Sequence, residues 1–133
     1  MKICIVRNDR MGDMILTLPI IKSIKEENIN SVVHVVGSQK NTNISKHFSF
    51  IDKFIHSSNS LSNFIHLAKY TRSQRYDYYL NFSPTWSGIF LGILSKSKIK
   101  SSLILKSRYK SKILSKCWQI LITKLFFSKT KIV

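Results

Sequence analysis

The sequence predicts an α/β domain on a parallel sheet of about five strands, and three observations point there. Short β-branched or aromatic runs recur along the chain. Between them lie stretches whose apolar residues return at three- and four-residue steps. The chain is also short, 133 residues of which 44% are hydrophobic, enough for one packed core and too few residues for two domains.

Taken in order, Lys2–Val6 (KICIV) reads as a buried strand, and the polar turn RNDRMGD follows it. From Met14, the residues Ile15, Leu18, Ile21 and Ile24 mark one face of a helix of about four turns. It runs to Glu26–Glu27, with Pro19 expected at a kink or in a first turn. Ser31–Val36 is the second strand, residues 39–48 a short helix, and Lys53–His56 the third strand. Leu61–Arg72 carries a helical face of Leu61, Phe64, Ile65, Leu67 and Ala68. Tyr76–Phe82 reads as the fourth strand, Ser83-Pro84-Thr85 opens a helix through Leu94, and Lys98–Leu105 is a weaker fifth strand. Strands alternating with helices of this length are the pattern of right-handed βαβ units.

Residues 109–127 form a further amphipathic helix. Lys112, Ser115, Lys116, Gln119 and Thr123 share one narrow stripe, and Ile113, Leu114, Cys117, Trp118, Leu121 and Leu125 cover the opposite arc. The apolar arc has three destinations: the chain's own sheet, a membrane surface, or a partner domain.

Charge is unevenly distributed. There are 22 Lys and Arg against six acids, a net charge of +16. All six acids lie in residues 1–77, which are net +5, while residues 78–133 hold 11 basic residues and no acid. Such a field draws nucleic acid, anionic lipid or phosphorylated sugars. Lysine outnumbers arginine 17 to 5, which disfavours reading of base edges. The two cysteines, Cys4 and Cys117, exclude a disulfide framework or a four-cysteine metal site and fit a reducing compartment. The N-terminus turns polar too early for a signal peptide, and no apolar run approaches the ~18 residues of a membrane span.

Ligands of open α/β sheets sit at the carboxyl ends of the strands. Here the first strand ends in Arg7-Asn8-Asp9-Arg10-Met11-Gly12-Asp13, with two guanidiniums and two carboxylates within seven residues. Gly12 permits a tight turn or close approach of a substrate. Asp13 occupies the N-cap or first turn of the next helix, where free N–H groups favour its ionised form. There it is either a cap or a base that accepts a proton from a hydroxyl. No glycine-rich phosphate loop, nucleophile elbow or histidine ligand spacing competes with it.

The stretch IVRNDRMGDMILTLPIIKSIKE resembles the opening of glycosyltransferase family 9, the ADP-heptose:lipopolysaccharide heptosyltransferases. Their strand, R-x-D-R-x-G-D turn and T-x-P helix are matched by Arg7, Asp9, Arg10, Gly12, Asp13, Thr17 and Pro19. Residues around Ile51-Asp52 and Arg75-Tyr76-Asp77 continue the resemblance, which covers about residues 1–105. Asn81-Phe82-Ser83-Pro84 departs from it, standing where the family has a D-x-Q-G-like turn.

The resemblance implies a Rossmann-like, acceptor-side domain over residues 1–105, the N-terminal half of a GT-B glycosyltransferase. A basic amphipathic segment, 106–133, then stops before any nucleotide-sugar domain. It also implies inverting, metal-independent transfer of heptose from ADP-heptose to the lipopolysaccharide inner core, in the cytoplasm or at the inner face of the inner membrane. Asp13 is then the general base, Gly12 the point of acceptor approach, and Arg10, with Arg7 second, the contact to an acceptor phosphate or carboxylate. No cofactor is expected. The expected partners are a lipopolysaccharide-type acceptor, a donor held by a domain beyond this chain, and an anionic membrane. Half a cleft is expected to be inactive alone. The rival reading is a small basic protein without catalysis that binds nucleic acid or a membrane surface, with Tyr76, Tyr78, Tyr79 and Trp86 as stacking residues.

Overall fold

The structure, a computed structural model, describes residues 1–83, 85–104, 113–127 and 129–132. The chain alternates strand and helix throughout: β1 (Lys2–Arg7), α1 (Met11–Glu27), β2 (Val32–Ser38), α2 (Gln39–Ser45), β3 (Lys53–Ser57), α3 (Leu61–Gln74), β4 (Tyr78–Asn81), α4 (Trp86–Leu94), β5 (Ile99–Ile104), α5 (Ile113–Phe126) and β6 (Lys129–Ile132). The strands form one sheet in the order β3-β2-β1-β4-β5-β6. Every pairing is parallel, from Lys2↔Val32 to Arg7↔Gly37 on one side of β1 and from Ile3↔Tyr78 to Val6↔Asn81 on the other. The expected Rossmann-like α/β fold is therefore present.

The sheet is covered on both faces, which is why β1 is apolar and buried from Ile3 to Val6. Ile3 and Ile5 point to one side, where they meet Val33, Val35 and, from α1, Met14, Leu18 and Ile21. Cys4 and Val6 point to the other, with Val36, Tyr79, Leu67 of α3 and Ile89 and Leu91 of α4. Burial pushes the Cys4 thiol well above its ordinary range, so it stays protonated and packs as a small apolar side chain. Tyr76 and Tyr79 are fully buried, which removes them from any base-stacking surface. The Tyr76 hydroxyl instead meets His34 Nδ1 at 2.7 Å.

Asp77 and Asp52 close the amino ends of β1 and β2. Asp77 Oδ2 accepts from the Lys2 backbone N–H at 2.8 Å. Asp52 Oδ2 accepts from the Val33 N–H at 2.7 Å and meets Lys25 Nζ at 2.7 Å.

Several sequence expectations shift. Helix α1 starts at Met11 rather than Met14, with Arg10 as its extended N-cap, so Pro19 lies well inside it. Its buried face is Met14, Thr17, Leu18 and Ile21. Ile15, assigned to that face, lies 100° round the helix from Met14 and is exposed. A sixth strand, β6, joins the sheet beside β5. Its sequence, KTKI, is too short and too basic to read as a strand. The stretch from residue 106 thus supplies α5 and β6, the latter paired into the same sheet.

The largest difference is in α5. Its polar residues Gln119 and Thr123 are 1% and 0% exposed, whereas Trp118, Leu121 and Leu125 are 54%, 50% and 70% exposed. The Thr123 hydroxyl donates to the Gln119 carbonyl at 2.6 Å. Phe127, just beyond the helix, enters the core beside Tyr79. Gln119 and Thr123 of the narrow polar stripe are thus turned inward and Trp118, Leu121 and Leu125 of the apolar arc outward, while Lys112 and the side chains of Ile113, Leu114, Ser115 and Lys116 lie outside the described residues.

Two predictions test these arrangements. A Cβ at Gly92 would stand 2.5 Å from the Phe127 ring and 2.6 Å from the buried Tyr79 ring. Gly92→Ala is therefore expected to cost about 1–3 kcal/mol in denaturant unfolding, and an unchanged midpoint would contradict this packing. The second concerns acid. Burial works to raise the Asp52 carboxyl, but the hydrogen bonds from Lys25 and Val33 outweigh it and hold the group below its ordinary 3.8. A depressed folded-state value stabilises the protein above the ordinary value, and that stability is lost as the pH falls through the folded value. Stability is expected to fall below about pH 4, and Asp52→Asn should flatten that limb. Superimposable pH profiles would refute the assignment.

Candidate functional site

The order of the sheet marks one place on its carboxyl edge. The chain adds β2 and β3 on one side of β1, then crosses to add β4, β5 and β6 on the other. The connections after β1 and β4 leave in opposite directions, and a crevice opens between the ends of these strands. Arg7-Asn8-Asp9 leaves β1 at this point, and Phe82-Ser83 leaves β4.

The side chains there are tied to one another. The Arg7 guanidinium spans three groups: Nε is 3.3 Å from Asp9 Oδ1, Nη2 is 3.3 Å from Asp13 Oδ1, and Nη1 donates to the Phe82 carbonyl. Ser83 Oγ accepts from the Asn8 N–H at 2.8 Å and donates to Asp9 Oδ1 at 3.4 Å. Asn8 Nδ2 reaches Ser87 Oγ at 3.2 Å, and Thr85 Oγ1 donates to Asn8 Oδ1 at 3.3 Å. Asn81 supports the turn from beneath, accepting from the Ser83 N–H at 3.2 Å and donating to Ser102 at 3.1 Å.

Of the four residues singled out in the sequence, Arg7 and Asp13 are in direct contact. Asp13 lies in the first turn of α1, and its side chain is 30% exposed. The N-cap is Arg10, whose side chain makes no capping bond and is exposed. Gly12 is exposed and has no positive φ, so it serves no tight turn. A Cβ built there meets nothing within 4 Å, which leaves open space over the backbone beside Asp13. Arg7, expected to touch an acceptor, is turned inward with 12% of its side chain exposed.

A polar recess of about 470 Å³ opens beside this cluster, lined by Asn8, Asp9, Lys40, His56 and Asn59 among others. It runs over the carboxyl ends of β1, β2 and β3. Sequence reasoning missed Asn8, Ser83, Lys40 and His56. The strand register that brings residues 75 positions apart into contact carries no local signal. Lys40, just after β2, and His56, near the end of β3, had only their place at a strand end to mark them. Among the described residues, no group of three His, Cys, Asp or Glu side chains stands together as metal ligands.

No protein-family model matches the chain. In sequence it is 30% identical over 98 residues to lipopolysaccharide heptosyltransferase 3 of Escherichia coli, across 68% of this chain and 29% of that protein. In fold it is similar to a glycosyl transferase family 9 structure from Veillonella parvula, with a TM-score of 0.75 at 18% identity. That likeness covers 98% of this chain and 35% of the other. It is also similar to an Escherichia coli heptosyltransferase solved with ADP, with a TM-score of 0.73 at 14% identity, over 100% of this chain and 41% of that one. The chain thus spans between a quarter and a half of the length of these relatives. A relative in sequence and a shared fold together bear out the resemblance of this chain to glycosyltransferase family 9.

Proposed function

We propose that this chain is the acceptor-side unit of a heptosyltransferase-like glycosyltransferase, which transfers heptose from ADP-heptose to a hydroxyl of the lipopolysaccharide inner core. The observation that carries the reading is the position of Asp13. A partly exposed carboxylate stands in the first turn of the helix that leaves the central strand, and the open backbone of Gly12 lies next to it. A base for sugar transfer has to reach a hydroxyl and hold its direction. Exposure supplies the first, and the ion pair with the Arg7 guanidinium supplies the second.

In the proposed reaction, Asp13 takes the proton of the acceptor hydroxyl as its oxygen attacks the anomeric carbon. The bond from that carbon to the donor diphosphate breaks with its electron pair on the diphosphate, and configuration inverts. Arg7 is a positioning residue, holding Asp13 and Asp9 in fixed relation. Arg10, exposed at the N-cap, meets an acceptor phosphate or carboxylate, and the recess beside Asp9 receives the acceptor's neighbouring hydroxyls. The donor needs a second surface facing Asp13 in near-attack geometry. Residues outside these 133 provide that surface, and the chain by itself does not catalyse transfer. On this reading it works at the cytoplasmic face of the inner membrane.

Three variants test the reading. With a donor-binding domain supplied by fusion or in trans, Asp13→Asn is expected to abolish transfer while the thermal melt is unchanged. Near-normal turnover would reduce Asp13 to a helix cap. Gly12→Ala is expected to leave folding intact, because its methyl enters open space, yet to raise the acceptor KM. Arg7→Met is expected to cost about 1–3 kcal/mol of stability and to shift the pH profile of transfer. An unaltered profile would leave Arg7 with a purely structural role.

A further inference from the structure

The recess beside the candidate base is held open by its own walls. It follows the carboxyl ends of β1, β2 and β3, and its volume of about 470 Å³ falls within the ~300–1,000 Å³ typical of small-molecule sites. Both flanks are tied down. On the α2 side, Asn41 is fully buried and its Nδ2 donates to the Arg7 carbonyl at 3.3 Å, which fixes the start of α2 against β1. On the other side, Asn63 of α3 holds the loop after β3. Its Oδ1 accepts from the Ser58 N–H at 2.9 Å, and its Nδ2 donates to the His56 carbonyl at 3.4 Å.

The chemistry of the lining identifies the ligand. Neutral polar side chains dominate it: the amides of Asn8, Gln39 and Asn59 and the hydroxyls of Ser57 and Ser58. Amides and hydroxyls both donate and accept, which suits the hydroxyls of a sugar ring, whereas a carboxylate or phosphate dianion only accepts. Among the described lining residues Lys40 alone carries a fixed positive charge, and Asp9 brings a carboxylate into the same wall. Asp9 shares the Arg7 guanidinium with Asp13, each at 3.3 Å, so one cation already faces two anions where the recess meets the candidate base. An acidic ligand group seated there would add a third anion. Arg10 is exposed at the N-cap of α1 and is not among the residues that line the recess. An acidic group on the acceptor therefore belongs outside the recess, towards Arg10. We propose that the recess selects an uncharged sugar ring, the one whose hydroxyl attacks, and excludes a phosphorylated or acidic ring from that position. This rests on the acceptor-side role of the chain and makes it specific: charge is accepted on neighbouring sugars but not on the ring held beside Asp9.

The test reads binding, not transfer. The isotope-labelled chain is titrated with mannose and glucose rings, each as the methyl glycoside, its 6-phosphate and its 6-uronate, while backbone amide shifts are followed. The net charge of +16 favours both anions everywhere on the surface, so it works against the expected order. A methyl glycoside is expected to shift the amides of Ser57, Ser58 and Asn59, and its two anionic forms to bind there more weakly. Asn59→Ala and Ser57→Ala should each weaken the uncharged ring about three- to tenfold with the thermal melt unchanged, and Lys40→Ala should not weaken it. Equal or tighter binding of a phosphate or uronate at these amides would overturn the proposal. So would shifts confined to other parts of the chain, or no shift with any of the sugars. The acceptor-side role falls by a different result, near-normal turnover of Asp13→Asn, whichever ring the recess holds.

Discussion

One guanidinium holds the carboxyl end of the sheet together. Arg7 is the last residue of the central strand, and its three contacts reach the turn after β1, the first turn of α1 and the turn after β4. These are the segments that part at the crossover of the sheet. Without a cation there, Asp9 and Asp13 would repel each other across a partly desolvated crevice, and the Phe82 carbonyl would lose its partner. Because the group is planar and spreads its charge over three nitrogens, one side chain can donate to a carbonyl while standing 3.3 Å from each of two carboxylates, which the point charge of a lysine suits less well. The direction of Asp13 is therefore set by β1 and β4 as much as by its own helix.

The two ends of the sheet use acids in opposite ways. At the amino end, Asp52 and Asp77 each accept a strand N–H and meet a lysine, which closes the start of β2 and of β1. At the carboxyl end, Asp9 and Asp13 share an arginine beside a polar recess. A chain with six acids and a net charge of +16 thus places four of them where the parallel sheet leaves strand ends to be satisfied. The second pair stands at the carboxyl edge, where open α/β sheets take their ligands.

Much of the fold was legible because the signals are periodic. The buried runs of β1 and β2 and the spacing of Leu18 and Ile21 needed no tertiary knowledge, and the cluster Arg7–Asp13 stood out by composition. Three things were not legible. Ile15 and Met14 are adjacent, and either satisfies a three-or-four-residue spacing, so the sheet decides which is covered. The brace of Asn8, Ser83 and Asn81 depends on β1 pairing with β4 at one register. The orientation of α5 opposes the pattern of its own residues, and a reading of amphipathicity alone assigns such a helix to the core. The departure at Asn81-Phe82-Ser83, which as sequence looked like a loss, is in the structure part of the support beneath Asp9.

The pairing of β1 with β4 also has a consequence in time. Arg7 and its Phe82 partner are 75 residues apart, as are Asn8 and Ser83. On a nascent chain, the apolar run KICIV emerges early and can pair with β2. Its other edge stays open until residues beyond Ser83 have left the ribosome. Contacts of such long range form late, after the entropy of closing the intervening loop has been lost, and an open strand edge of this kind invites pairing with other chains. The crevice that carries Asp13 is therefore among the last features of the sheet to assemble, and the interval before β4 arrives is when the chain is most exposed to misassociation.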